Sequence, residues 1–116
     1  MRGLYRAVLA SLGLTLLTVW ALAAAQNKQT FTGTITDDMC PRADHSQMRM
    51  GPTDAECAAA CIDEHGASYI LFDGESAYNL SDQRAAAKFV AQKVRVTGTL
   101  DSKTHTIHVE SISAAK

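Results

Sequence analysis

The chain reads as a mainly β domain with a helical insertion, and three observations carry that reading. Short runs rich in β-branched and aromatic residues alternate with polar ones, as in FTGTIT, SYILF, KVRVTGTL and HTIHVESI. Turn-forming residues punctuate these runs at short intervals, among them Asp73-Gly74-Glu75 and Asp101-Ser102-Lys103. One segment, Thr53 to His65, breaks the alternation with a capped helical pattern.

The first 25 residues stand apart from the domain. Arg2 and Arg6 precede an apolar run from Ala7 to Ala23, and Ala23-Ala24-Ala25 matches a small-residue cleavage pattern. These features predict a signal peptide over 1–25 and a single domain over 26–116. The apolar stretch approaches the length of a bilayer span, and its alanine-rich end favours cleavage over retention as an anchor. The expectation is a periplasmic or secreted protein with no membrane contact once the signal is cleaved.

Phe31 to Thr36 is the first strand, with Gly33 at a bulge or bend. From Asp37 to Pro52 periodicity disappears over a long loop, DDMCPRADHSQMRMGP, of a length that is usually functional or tied down. Thr53 and Glu56 form a capping box, each side chain reaching the other's amide, and the helix runs to His65 before Gly66. Cys57 and Cys61, four apart, share one face of it. Residues 37–66 thus form an inserted loop and helix. Ser68 to Phe72 and Ser76 to Leu80 make a hairpin. Ser81 caps a short helix over Asp82 to Val90, with Ala85, Phe89 and Ala86 as the candidates for its inward side. Lys93 to Leu100 and His105 to Ile112 close the chain as a second hairpin. The order is strand, helix, strand, strand, short helix, strand, strand. Five short strands with glycine at bends and a helix before the last hairpin fit a small five-stranded OB-like barrel.

The segments GTITDDMC, ECAAAC, ASYILFDGESAYNL and KVRVTGTLDSKTHTIHVESI together resemble an uncharacterised family of small exported bacterial proteins, a domain of unknown function. The resemblance runs from Phe31 to about Ile112. It implies a bacterial exported domain in which Cys40, His45, Cys57 and Cys61 occupy recurring positions, and it implies no activity.

Three cysteines are an odd count for an exported chain, which normally pairs its thiols. Two readings fit. In the first, Cys40, His45, Cys57 and Cys61 bind Zn²⁺ or Cu(I); three thiolates and an imidazole suit a tetrahedral ion, and Met39, Met48 and Met50 nearby favour Cu(I) where they point inward. The spacing C-x₄-H-x₁₁-C-x₃-C lacks the tight C-x₂-C of common zinc modules. In the second, one disulfide joins Cys40 to Cys57 or Cys61, worth on the order of 3 kcal/mol, and staples a non-enzymatic binding module. The spare thiol then permits a disulfide-linked dimer. Redox catalysis ranks below both because C-x-x-C is absent. Asp37 and Asp38 read as turn formers or as partners behind a ligand.

Removing Arg2 and Arg6 leaves nine Lys and Arg against twelve Asp and Glu, a mildly acidic domain. No basic block is present, which argues against nucleic acid as a partner. No Ser/His/Asp arrangement, phosphate loop or separated acid/base carboxylate pair is recognisable, so no enzyme is expected.

Overall fold

Alternation in the first strand places Phe31, Gly33, Ile35 and Asp37 on one side, and the computed structural model, which describes residues 27–115, buries the last three of them. The signal-peptide reading of residues 1–25 lies outside the described residues. The strand is longer than its β-rich core, spanning Gln29–Asp37 (β1). The inserted helix spans Asp54–His65 (α1), followed by Tyr69–Phe72 (β2) and Ala77–Leu80 (β3). Next come a short helix at Gln83–Ala87 (α2) and the long strands Lys93–Asp101 (β4) and Thr106–Ala114 (β5). Among the described residues no helix is long and apolar enough to cross a membrane.

The five strands form a closed ring of hydrogen bonds in the order β1-β2-β3-β5-β4. Closure depends on β1, which pairs with β4 over Gln29 to Thr34 and with β2 over Thr34 to Asp37. Gly33 stands where β1 changes partners, and a Cβ there would collide with the Phe72 carbonyl. Gly98 serves the same purpose at the β4–β5 bulge, where a Cβ would strike the His108 carbonyl. The one parallel pairing, β3 with β5, joins Asn79 and Leu80 to Thr106 and Ile107. It is extended by the Ser81 hydroxyl, which accepts the Val109 amide at 2.8 Å.

Ile35, Leu71, Leu80, Val94, Val96 and Ile107 fill the ring, and Ala86 of α2 packs against them. The cap of α2 is Asp82, whose carboxylate accepts from the Ala85 amide at 2.9 Å; the expected cap, Ser81, is committed to β5 instead. The helix is also shorter than expected. Its first residue docks it: the Gln83 amide accepts from the Tyr69 N–H at 2.7 Å and donates to the Tyr69 and Leu80 carbonyls at 2.9 and 3.1 Å.

Thr53 caps α1 as expected, accepting from the Glu56 amide at 3.2 Å. The reciprocal arm differs, because the Thr53 hydroxyl, and not its amide, donates to the Glu56 carboxylate at 2.9 Å. Gly66 ends the helix in the left-handed region, φ 67°. The buried face of α1 carries Cys57, Ala58 and Cys61, which lie outside the apolar cluster that fills the ring.

Candidate metal centre

Asp37 is the last residue of β1 and falls in phase with Ile35, so its carboxylate is carried inward and is fully buried. A buried carboxylate needs partners, and the chain supplies them by folding back at once. Oδ1 of Asp37 accepts from the backbone amides of Met39 and Cys40 at 3.1 and 3.0 Å. The Thr36 hydroxyl and the Ala43 amide both donate to the Cys40 carbonyl, each at 3.0 Å. These bonds pin Cys40 over the end of the strand.

The loop then delivers His45, 3% exposed, to the other carboxylate oxygen, with Nε2 2.7 Å from Oδ2. With Nε2–H donating to Asp37, the second ring nitrogen is left with a lone pair. That atom, Nδ1, is buried and has no hydrogen-bond partner. The nearest charge is the Asp54 carboxylate in the first turn of α1, at 3.5 Å, on a side chain that is mostly exposed.

The ligand atoms of Asp37, Cys40 and His45 all lie within 4.8 Å of one another. Donors to a common tetrahedral ion stand roughly 3.3–3.8 Å apart, given bonds of about 2.0–2.3 Å, so small adjustments would let all three share one ion. An ion shared by all three would take the Nε2 that faces Asp37, in place of the proton held between them, and would leave Nδ1 directed at Asp54. The three residues come from a strand end and the loop that follows it.

The sequence assigned four residues to this site, and the structure divides them. Cys40 and His45 belong to the compact trio. Cys57 and Cys61 are fully buried on α1 and adjoin it without belonging to that trio. Burial first, then the negative charge of Asp37 and the neighbouring sulfurs, push the Cys61 thiol up to about 11. Burial, Asp37 and Asp44 raise the Cys40 thiol as well, with a further contribution from Cys57.

Among the described residues no disulfide joins Cys40 to Cys57 or Cys61, and all three cysteines stand as buried free thiols. Each helix sulfur has a different partner: the Cys57 thiol donates to the Gly51 carbonyl at 3.1 Å, and the Cys61 thiol interacts with the Asp37 carboxylate.

Asp37 is the residue that the sequence reading undervalued. Adjacent aspartates usually mark a turn, and Asp38 does stand exposed at one. The signal that separates them is the period of two running through Gly33 and Ile35, which reaches Asp37 and skips Asp38.

Fold and site together define a closed five-strand domain with a buried aspartate, cysteine and histidine gathered on the loop between its first strand and its inserted helix. Residues 62–115 match a family model described as a protein of unknown function, DUF5818. The match spans β2 to β5 and begins one residue after Cys61, so it covers none of the cluster. No curated protein and no solved structure matches the chain.

Proposed function

We propose that this is an exported, non-enzymatic domain of the OB-like barrel type that binds a metal ion, Zn²⁺ or Cu(I), through Asp37, Cys40 and His45. The ring order, the parallel β3–β5 pair and a helix between the third and fourth strands support the OB-like reading. The observation that carries metal binding is the gathering of a buried carboxylate, thiol and imidazole at ligand spacing. Buried polar groups crowded together are costly, and a cation shared among the carboxylate, thiol and imidazole offsets that cost.

The mixed oxygen, sulfur and nitrogen set suits a borderline ion such as Zn²⁺. Cys57 and Cys61 border the trio as further sulfur donors and complete the Cys/His set expected from the sequence. Because burial holds the Cys40 and Cys61 thiols protonated at neutral pH, binding releases protons and weakens as pH falls. Export to a periplasmic or extracellular compartment fits the amino-terminal apolar segment of the sequence.

The test is Co²⁺ titration of the purified protein, used as a spectroscopic stand-in for Zn²⁺. A thiolate-to-cobalt charge-transfer band at one equivalent, lost in Cys40→Ser and in His45→Ala, is the expected outcome. A wild-type protein that gives no band, and that carries no metal when recovered from its own compartment, would overturn the reading.

A further inference from the structure

Of the buried trio, Cys40 keeps the most contact with solvent. Cys57 and Cys61 are fully buried, whereas Cys40 retains 9% exposure and lines a surface cavity of about 340 Å³. Two other side chains on that cavity are Met39 and Met48, 38% and 43% exposed, and both are thioethers. Among the described residues these two are the exposed large hydrophobic side chains. Both flank the thiol of Cys40, the one member of the buried trio that lines this cavity.

We propose that Met39, Met48 and Cys40 form a docking site for a soft monovalent cation, Cu(I) or Ag(I), on the solvent side of the buried trio. Thioethers are poor ligands for Zn²⁺ and good ones for Cu(I), so this opening selects by softness where the inner cluster, with its carboxylate oxygen, does not. The cavity is also lined by Arg42 and Asp44. The guanidinium of Arg42 sits 6.0 Å over the Phe72 ring, which draws its positive charge toward the sheet. Asp44 accepts from the Ser46 amide at 2.9 Å and leaves a negative charge at the rim. Binding replaces the Cys40 S–H bond with a sulfur–metal bond, and the proton passes to the buffer. Because Cys40 also belongs to the inner trio, an ion held by the outer sulfurs competes with one held inside.

The inference rests on the proposed reading of Cys40 as a metal ligand, and two probes separate their failures. Ag(I), which needs no reductant, reports on the outer site in competition with a thioether chelator, and Co²⁺ reports on the trio. The variant is Met39→Leu/Met48→Leu, which keeps the side-chain bulk at two exposed positions; an unchanged urea midpoint shows that it is folded. The expected result is Ag(I) affinity lowered by about tenfold or more with the Co²⁺ band intact, and displacement of Co²⁺ from the wild type by one equivalent of Ag(I). Equal Ag(I) affinity in wild type and variant overturns the docking site while leaving the inner site standing. Absence of Co²⁺ binding with a retained Ag(I) difference overturns the inner site alone.

Discussion

Removing the carboxylate of Asp37 should be the most damaging single change to the loop, and its cost can be assembled from the bonds it makes. In Asp37→Ala three hydrogen bonds vanish along with the Cys61 thiol contact, but they are not equal. The Met39 amide belongs to an exposed residue and can turn to water, and the Cys40 amide keeps a second acceptor in the Asp37 main-chain carbonyl at 3.2 Å. His45 has less recourse. Loss of Oδ2 leaves Nε2 of a 3%-exposed ring unsatisfied, with the Asp54 carboxylate 3.5 Å from Nδ1 as the nearest other acceptor. A bond to a charged group is worth about 1.5–3 kcal/mol and a stranded buried polar group costs about 1–3 kcal/mol, so the sum is roughly 3–4 kcal/mol. Against a total of roughly 5–10 kcal/mol for a small domain, that is a large fraction.

Asp37→Asn should be milder, because the amide oxygen still serves the two backbone donors and the His45 proton can move to Nδ1, toward Asp54. Urea unfolding in the presence of a chelator measures both variants free of metal. With a slope of about 1 kcal/mol/M the midpoint should fall by about 3 M in Asp37→Ala and by about 1–2 M in Asp37→Asn. An Asp37→Ala midpoint within 0.5 M of wild type, on the order of half a kcal/mol by the same slope, would refute the claim that the carboxylate organises this loop.

Other consequences follow from the same geometry. Gln83→Ala removes an acceptor and a donor from the backbone of β2 and should cost about 2 kcal/mol in chemical denaturation, with the effect concentrated in hydrogen exchange of the Tyr69 amide. Gly98→Ala should cost about 2 kcal/mol or more, since the Cβ meets a main-chain carbonyl that cannot move without breaking β4–β5 pairing, whereas Ser102→Ala in the exposed turn should be neutral in the same melt. The Cys61 thiol titrates higher in the folded chain than in the unfolded one. Its contribution to stability is therefore complete below about pH 9 and is lost as pH rises through about 11, and Cys61→Ala should flatten that alkaline limb in metal-free protein. Thr53→Ala should lower stability by about 1 kcal/mol through loss of the α1 cap, read from the thermal midpoint.

The elements of this fold were legible because each carries a local signal. Alternation marked the first strand and the closing hairpin, β-rich runs around Asp73-Gly74-Glu75 marked β2 and β3, and the Thr53 cap and Gly66 stop bounded α1 within a residue of where it lies. What escaped was decided by tertiary partners. Ser81 and Asp82 are equally good caps in isolation, and only the demand of the Val109 amide takes Ser81 away. The β strands run past their β-branched cores, at Gln29 and Asp37 for example, because hydrogen bonding to β4 and β2 overrides propensity. At the site, cysteine and histidine are conspicuous in any sequence, and Cys40 and His45 were found that way. Spacing could not show that Cys57 and Cys61 turn to separate oxygen partners, nor that an aspartate beside another aspartate would become the hub.

The double pairing of β1 also sets when the site can exist. Gln29 meets Gly98 across 69 residues of chain, so the strand that ends in Asp37 cannot be locked until almost the whole domain has been laid down. Contacts so distant in sequence form late and slowly. A metal-sensitive signal from Cys40 should therefore appear in the final phase of refolding, together with closure of the ring, and an ion added early would find the ligands but not the pocket.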